Sequence, residues 1–369
     1  MLIGTAMSAH QSEGNNINSD WWYFEKNGKL PYKSGMACDS YRHYKDDIKL
    51  MKRLRLNSYK FSIEFARVMP EKDVVDYDAI DHYRDIIAEL KKNGIEPIPT
   101  LWHYTLPLWF YKMGGFENRK NLVYIINYVK LLLSRGLDAR YVLTLNEPMV
   151  YAVKAYLTGR YPPFRRSFRS MLKVSNNLIH LHNELYDILS REGYKVSIAK
   201  NMIYFGKLRR VYLPFGLSEY IYNWRFIKYA KMDFLGLNYY RNVDPFRLVR
   251  RRSNKTDMGW TIYPYGLHSI AERYYNAYKK PIMITENGIA TNNEDLRKKF
   301  ITEHLNTIIT LRKEGVPVIG YHYWSLLDNF EWDYGYMKKF GIGHVDKKTG
   351  KRILKSSAET LKRLALKYE

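Results

Sequence analysis

The stretch ARYVLTLNEP, residues 139–148, is a short apolar and β-branched run that stops at a polar pair, Asn146 and Glu147. A second run ends in a similar way, because PIMITENG (281–288) carries Glu286 just before Asn287. A short apolar run between charged segments predicts a strand that is buried on both faces. Each of these two predicted strands therefore ends in a carboxylate, and the two acids are far apart in the chain.

The same kind of run occurs eight times, and charged amphipathic segments separate the runs. The predicted strands cover residues 2–10, 58–65, 96–103, 139–146, 194–201, 232–240, 281–287 and 317–324. The predicted helices cover residues 41–56, 78–93, 119–135, 170–192, 218–230, 266–279, 294–314 and 356–367. Alternation of strand and helix predicts a parallel sheet in the α/β class. Eight rounds favour a closed (β/α)8 TIM barrel over an open sheet.

The chain shows no sign of division into several domains. No glycine-rich phosphate-binding motif follows the first run, which disfavours a dinucleotide-binding fold. No linker-like or low-complexity stretch separates two halves. We therefore expect residues 1–369 to form one barrel domain that carries the catalytic site.

The charge of the chain leaves several kinds of partner open. The net charge is +23, with arginine clusters at residues 165–169 and 247–252. Such a balance is compatible with nucleic acid, with an anionic membrane surface, or with solubility alone. The charge is spread along the chain without a nucleic-acid-binding module, so nucleic acid is disfavoured. Association with a membrane surface stays an alternative, and the oligomeric state is left open.

Composition also bears on location and on cofactors. The single cysteine, Cys38, excludes an intrachain disulfide, and the first residues lack the pattern of a signal peptide. The longest apolar segment is broken by Lys130, so we expect a cytoplasmic protein. Scarce cysteine and glutamine with abundant lysine are typical of heat-adapted proteins, whereas 24 asparagines argue against that origin. No cluster of histidine, cysteine and acidic residues has ligand spacing, so we expect no metal and no cofactor.

The ends of the predicted strands carry the side chains that suggest chemistry. In a barrel of this kind the active site lies at the C-terminal ends of the strands. Glu147 and Glu286 end the fourth and seventh strands, so they would face each other across a bound molecule. A plainer interpretation is that Glu147 caps a helix that begins at Pro148. Other strand ends offer groups suited to hydroxyls and to the apolar faces of pyranose rings: Gln11, His103, Asn238, Tyr240 and Trp324. His322 is predicted to be structural.

Six ordered motifs resemble the signature blocks of the retaining β-glycosidases of glycoside hydrolase family one. They are QSEG (11–14), LWHYTLP (101–107), TLNEP (144–148), GLNYY (236–240), ITENG (284–288) and YWSLLDNFEW (323–332). The likeness runs from about residue 3 to about residue 346. The segments 20–35 and 146–164 are most similar to archaeal β-glucosidases.

The resemblance implies roles for individual residues. Glu147 would be the acid/base and Glu286 the nucleophile, with their carboxyl groups about 5–5.5 Å apart. Tyr240 would donate to Glu286, and Asn146 would bind the 2-hydroxyl. The remaining sugar hydroxyls would be bound by Gln11, His103, Glu331 and Trp332, above a floor made by Trp324. A carboxylate at Glu331 would repel a 6-phosphate, which favours non-phosphorylated β-glucosides, with β-galactosides and related sugars as further candidates.

Two features depart from the family pattern. Lys60 stands in YKFSI where the family carries an arginine that supports the nucleophile. Lysine lacks the planar fork that can hold two groups at once, so we expect weaker orientation of Glu286. Alternation places Lys60, Ser62 and Glu64 on the inner face of the strand, where the two charges need partners. The segment between the fifth and sixth strands, residues 202–231, is shorter than in relatives, which predicts a more open cleft.

Three functions therefore remain after the sequence is read. The first is a retaining β-glycosidase. The second is a sugar-binding protein on the same fold whose active site is impaired, an idea that rests on Lys60 and on the short segment. The third is a membrane-surface protein, which rests on the charge. Both catalytic glutamates are present, which favours the first.

Overall fold

A computed structural model of the chain describes residues 1–206, 213–243 and 255–368. Eight parallel strands form a closed barrel in sequence order, so the (β/α)8 prediction is confirmed. The strands are β1 (Leu2–Ala6), β2 (Ser58–Ser62), β3 (Glu96–Thr100), β4 (Tyr141–Asn146), β5 (Lys195–Phe205), β6 (Leu235–Val243), β7 (Ile282–Asn287) and β8 (Val318–Trp324). A separate two-stranded sheet pairs β9 (Gly343–Val345) with β10 (Arg352–Leu354).

Helices follow the strands and cover the outside of the barrel. They are α1 (Ala9–Ser12), α2 (Asp20–Lys26), α3 (Ser40–Arg53), α4 (Phe65–Val68), α5 (Tyr77–Lys92), α6 (Leu108–Lys112), α7 (Leu122–Ser134), α8 (Pro148–Tyr151), α9 (Phe168–Arg191), α10 (Leu213–Glu219), α11 (Arg225–Tyr229), α12 (Pro264–Tyr278), α13 (Glu294–Lys313) and α14 (Ser356–Tyr368). Two π-helical turns, Ala152–Leu157 and Tyr220–Trp224, continue α8 and join α10 to α11.

Most predicted boundaries shift by a few residues, and three of the differences matter for the site. β1 ends at Ala6, so Gln11 lies on α1 rather than on the strand. β5 continues to Phe205 because its ladder with β6 extends to a pairing with Val243. The helix expected over 218–230 is three pieces, since a π-helical turn interrupts it.

The lower part of the barrel interior is filled by apolar side chains, and a layer of polar side chains lies above them. A small buried cluster fills the lower interior: Ile98, Leu143, Ala199, Phe234 and Met283. Above it, the buried His322 bonds to the Ser58 hydroxyl at 2.9 Å and to the carbonyl of Ile284 at 3.0 Å. The structural role expected for His322 is therefore confirmed. A packed interior of this kind leaves the ends of the strands as the place for a binding cavity.

The glycine of the ITENG motif has a steric explanation. A Cβ atom added to Gly288 would lie 1.9 Å from the carbonyl oxygen of Trp324 at the end of β8. Only glycine lets these two backbones approach so closely. The strand that carries Glu286 is thereby packed directly against the strand that carries the predicted pocket floor.

Two further observations concern the alternatives raised by composition. In the described ranges, no helix is long and apolar enough to cross a bilayer. Nor do the residues described form a group of three or more histidine, cysteine and acidic side chains that could hold a metal ion.

In the first basic cluster, Nε of Arg165 lies 3.4 Å from Oε2 of Glu117. The second cluster, residues 247–252, falls outside the described residues.

Candidate active site

A cavity of about 240 Å³ opens at the C-terminal ends of the barrel strands. It is lined by nine of the residues predicted from the sequence: Gln11, His103, Asn146, Glu147, Tyr240, Glu286, Trp324, Glu331 and Trp332. Residues that the sequence did not single out complete the lining: Tyr104, Val150, Lys154, Arg160, Tyr161, Asn201, Tyr222, Arg241, Met258, Trp260, Tyr334 and Phe340. Both candidate catalytic carboxylates therefore face the same cavity.

Glu286 is buried near the end of β7 and is held through both of its oxygens. The Tyr240 hydroxyl donates to Oε2 at 2.6 Å, and the Lys60 ammonium donates to Oε1. Burial raises the pKa of Glu286 above its ordinary value, while the charge of Lys60 and the two hydrogen bonds oppose that rise. Each donor stabilises the ionised form, which is the form that can attack carbon.

Lys60 contacts two groups at once. Its fully buried ammonium donates to Glu286 and also to Oδ1 of Asn146, at 2.7 Å for the second contact. Lysine was expected to lack the fork that holds two groups at once, yet Lys60 contacts two, because an ammonium has three donors that can point in different directions. The weaker orientation of Glu286 stays a prediction.

The other two polar residues of this strand face do not pair with Lys60. The Ser62 hydroxyl accepts from the backbone N–H of Ala9 at 2.8 Å. Glu64 lies beyond the end of β2, where it accepts from Ala66 N–H at the start of α4 and from the Thr105 hydroxyl at 2.8 Å. Strand alternation stops with the strand, so the inward direction predicted for Glu64 was wrong.

Glu147 follows β4 and has a left-handed backbone, with φ of 46°. Its carboxylate makes no capping bond to α8, so the plainer interpretation as a helix cap does not hold. Instead it accepts three hydrogen bonds: from the Tyr104 hydroxyl at Oε2, and from the amides of Asn201 (3.0 Å) and Asn238 (2.9 Å) at Oε1. An uncommon backbone conformation with a full set of donors is typical of a functional group held in place.

Asn238 has a different position from the one predicted. It was expected to bind substrate, yet it is fully buried and does not line the cavity. Its amide donates to Glu147, and its Oδ1 accepts from the Thr285 hydroxyl at 2.6 Å. Asn238 therefore orients the candidate acid/base from behind.

The hydrogen bonds around Asn146 fix the tautomer of His103. Lys60 can only donate, so Oδ1 of Asn146 is the acceptor, and Nδ2 must donate to Nε2 of His103 at 3.1 Å. Burial and the charge of Lys60 lower the pKa of His103 well below its ordinary value, so the ring is neutral. The proton then sits on Nδ1, which is buried without a partner in the described part of the chain. Within the described part of the chain, the Nδ1–H of His103 is therefore a donor without an acceptor.

Gln11, Glu331 and two tryptophans form the opposite end of the cavity. The Gln11 amide donates to the carbonyl of Phe330 at 2.8 Å and to Oε2 of Glu331 at 3.3 Å. The ring of His103 stacks against Trp324 and Trp332, with centroids 6.1 and 6.0 Å away. Two flat rings beside several polar groups suit the apolar face and the hydroxyls of a sugar.

A charged cluster behind Glu331 was missed at the sequence level. Arg160 pairs with Asp333, and Lys154 lies 3.9 Å from the same carboxylate while donating to the Tyr161 hydroxyl at 2.5 Å. Burial raises the pKa of Glu331 to about 8, and the charge of Lys154 opposes this rise. Lys154 lies on the π-helical turn after α8, and no strand end or motif marks it in the sequence.

Two aromatic side chains that the sequence did not single out, Tyr222 and Trp260, line the cavity. Tyr222, on the π-helical turn 220–224, lines the cavity and donates to Oδ1 of Asn201 at 2.9 Å. Trp260 packs near Tyr240 and Phe340, with ring centroids 5.7 and 6.4 Å away. Tyr222 belongs to the segment 202–231, so the described part of this segment contributes one aromatic side chain to the cavity wall. The more open cleft stays a prediction.

Comparison with known proteins agrees with this geometry. The model of the family described as Glycosyl hydrolase family 1 matches residues 1–207 and 207–369. Beta-glucosidase A of Thermotoga maritima is 31% identical over 425 residues, covering 96% of this chain and 94% of that protein. The solved beta-glycosidase from Pyrococcus horikoshii superposes with a TM-score of 0.91 at 38% identity, covering 99% of this chain and 93% of that one. A beta-glucosidase from Thermotoga maritima in complex with deoxynojirimycin gives a TM-score of 0.88 at 30% identity, covering 99% and 97%.

Proposed function

The chain belongs to glycosyl hydrolase family 1, and from that premise we propose that it is a retaining β-glycosidase with Glu286 as nucleophile and Glu147 as acid/base. The observation that carries the proposal is that both carboxylates line one cavity, each with its own set of donors. Family members hydrolyse glycosides through such a pair in two displacements.

In the first displacement, Glu286 attacks the anomeric carbon while the bond to the aglycone oxygen breaks. Glu147 gives its proton to that oxygen, and a covalent glycosyl-enzyme results. In the second, the ionised Glu147 takes a proton from water, which attacks the same carbon and expels Glu286. Two inversions retain the β configuration. Lys60 and Tyr240 support the proposal, because they stabilise the carboxylate that must attack and must later leave.

We propose that the substrate is a non-phosphorylated β-glucoside. Glu331 lines the cavity, and its ionised form would repel a 6-phosphate. Because burial raises its pKa to about 8, this repulsion should be strongest on the alkaline side of neutral pH. The similarity to a beta-glucosidase of Thermotoga maritima, at 31% identity, fits this choice somewhat better than the similarity to a 6-phospho-beta-galactosidase of Clostridium acetobutylicum, at 28%. β-Galactosides and related sugars remain further candidate substrates. One catalytic domain over 1–369, a cytoplasmic location and a heat-adapted source stay predictions.

Turnover of 4-nitrophenyl β-D-glucoside by the wild type and two variants tests the assignment. Glu286→Gln is expected to abolish turnover, since no other group is placed to form the glycosyl-enzyme. Glu147→Ala is expected to lose roughly 10²–10⁴-fold on alkyl glucosides, whose leaving groups need a proton. On 2,4-dinitrophenyl β-D-glucoside, whose leaving group needs no proton, the second step should limit Glu147→Ala, and added azide should restore part of the lost kcat and yield a β-configured glycosyl azide. An α-configured azide, or inversion by the wild type, would refute the roles.

The alternative of an impaired sugar-binding protein rested on Lys60 as a weak support for the nucleophile and on the short segment 202–231. The contacts of Lys60 with both Glu286 and Asn146 favour the enzyme over this alternative. The membrane-surface alternative rests on charge alone. Flotation with anionic liposomes at about 0.15 M salt, where charges are screened beyond about 8 Å, tests it.

A further inference from the structure

Lys200 is a buried cation that the mechanism above does not use. It lies on β5 with a fully buried side chain. Among the residues that the structure describes, no carboxylate lies within ion-pair distance of its ammonium, and Glu147 is the acidic group whose charge favours its protonated form. Burial lowers the pKa of Lys200 to about 7. A buried ammonium without a paired carboxylate is costly, so a compensating role is expected.

The contacts of Lys200 lead to the candidate acid/base. Its Nζ donates to the backbone carbonyl of Asn201 and lies 4.8 Å from the centre of the Tyr222 ring. The Tyr222 hydroxyl donates to Oδ1 of Asn201 at 2.9 Å. The amide nitrogen of Asn201 then donates to Oε1 of Glu147 at 3.0 Å. One residue after another, these contacts connect a buried cation to the group that must move the proton.

The turn that carries Tyr222 is itself fastened to β5. The side chain of Asn223 donates to the carbonyl of Ile203 at 2.7 Å and accepts from its N–H at 3.0 Å. Irregular π-helical turns of this kind are often found at functional sites. Tyr222 is therefore held between the strand and the cavity, with Lys200 against its ring.

We propose that Lys200 is a positioning residue for the acid/base: by fixing the Asn201 backbone and the Tyr222 ring, it aims the Asn201 amide at Glu147. The inference rests on the proposed function of Glu147. Without Lys200, the carbonyl of Asn201 loses its donor and the Tyr222 ring loses its cation. Glu147 is then held less exactly, and misplacement of about 1 Å can cost about 100-fold in rate.

Leaving-group chemistry distinguishes a positioning role from general destabilisation. With an alkyl β-glucoside the first step needs the proton of Glu147, so kcat/KM of Lys200→Met should fall about 10-fold, a fraction of the full effect of a general acid. With 2,4-dinitrophenyl β-D-glucoside the leaving group needs no proton, so kcat/KM should change less than about 2-fold. Its kcat should still fall, because Glu147 must activate water in the second step, and azide should restore it.

Two more variants complete the experiment. Lys195→Met makes the same change at an exposed position of the same strand and should change kcat/KM on neither glucoside. Tyr222→Phe keeps Lys200 and the ring but removes the hydroxyl. Its kcat/KM should fall about 3-fold on the alkyl glucoside and should change little on the dinitrophenyl glucoside. If Lys200→Met does not fold, the same comparison of the two glucosides with Tyr222→Phe tests whether the contacts between Lys200 and Glu147 position the acid/base.

The possible results distinguish a failure of the positioning role of Lys200 from a failure of the proposed catalytic function. An equal loss of kcat/KM on both glucosides, or no loss on either, overturns the role of Lys200. If the wild type turns over neither glucoside, the proposed function fails first, and the inference fails with it. A selective loss on the alkyl glucoside, with azide rescue on the dinitrophenyl glucoside, supports the role.

Discussion

Replacement of Lys60 by methionine is expected to make the nucleophile depend strongly on pH. Methionine keeps the unbranched, largely apolar stem and removes the three N–H donors. The ammonium of Lys60 is fully buried and donates to Oε1 of Glu286 and to Oδ1 of Asn146. Its loss leaves Glu286 with the hydrogen bond from Tyr240 but without a paired cation. The acid limb of the pH–rate profile should therefore move to higher pH.

The size of the effect follows from the burial of the pair. Removal of one partner of a buried ion pair costs about 3–5 kcal/mol, because the other charge is left uncompensated. A free-energy difference of 1.36 kcal/mol is tenfold in rate, so kcat/KM near pH 6 should fall by about 10²–10⁴-fold. The loss should shrink as the pH rises, since a larger share of Glu286 is then ionised.

The assay uses 2,4-dinitrophenyl β-D-glucoside, because its acidic leaving group removes the requirement for a protonated Glu147. The acid limb of kcat/KM then reports on Glu286. Lys49→Met is a matched control, since the Lys49 side chain is 76% exposed and lies on α3. It should leave the profile unchanged. A loss in Lys60→Met that is the same at every pH, or an acid limb that moves to lower pH, would refute the account of Lys60.

The pH dependence of thermal stability gives a second test of Lys60→Met. The pKa of Glu286 is raised in the folded protein by burial. The stability that this group contributes is therefore fully present below its ordinary pKa of 4.5 and is lost as the pH rises through the folded-state value. Lys60→Met increases the rise in pKa, so its Tm should fall further below that of the wild type at pH 8 than at pH 4. The opposite order would contradict the sign of the argument.

Two other changes test the same cavity. Lys60→Arg should lower kcat on 4-nitrophenyl β-D-glucoside by about 10-fold, because a larger group must fit a packed site whose two acceptors are already served; a higher kcat would show that arginine fits better. Lys154→Met should raise KM for the same substrate about 5-fold near pH 9, where Glu331 with its pKa of about 8 is largely ionised in the wild type, because loss of the Lys154 cation raises that pKa further and leaves sugar hydroxyls a weaker, uncharged acceptor; a KM equal to that of the wild type at pH 9, or a rise in KM only at pH 6, would contradict this.

The fold was predictable because its strands are short, apolar and regularly spaced. Every predicted run overlaps a barrel strand, and the errors lie at the ends of strands, where tertiary contacts decide. β5, for example, is extended by its ladder with β6 through Val243. The interruption of the 218–230 helix depends on the docking of Asn223 against Ile203, which periodicity does not contain. Local pattern thus sets the existence of an element, and packing sets its end.

The site was predictable where motifs fall at strand ends. The direction of a side chain is less predictable, because irregular pairing changes which way it points. The register of β6 against β7 shifts between Leu237 and Asn238, and Asn238 contacts Glu147 instead of lining the cavity. Lys154 and Tyr222 come from helical turns outside the strands, so no strand-end signal marks them. Their roles depend on which helix face meets the cavity, which only the folded chain shows.

The obligation of Lys60 to donate has an effect beyond the nucleophile. Because Lys60 donates to Oδ1 of Asn146, the Nδ2 of Asn146 must donate to Nε2 of His103. The hydrogen of the imidazole is then on Nδ1, which has no partner in the described part of the chain. A sugar hydroxyl at that point must present a lone pair to the ring, and its own hydrogen is left to bond elsewhere. A deoxyfluoro sugar would keep a weak acceptor there and lose only the onward bond, whereas a deoxy sugar would lose both. The cavity therefore distinguishes these two analogues by the polarity of its hydrogen bonds as well as by shape.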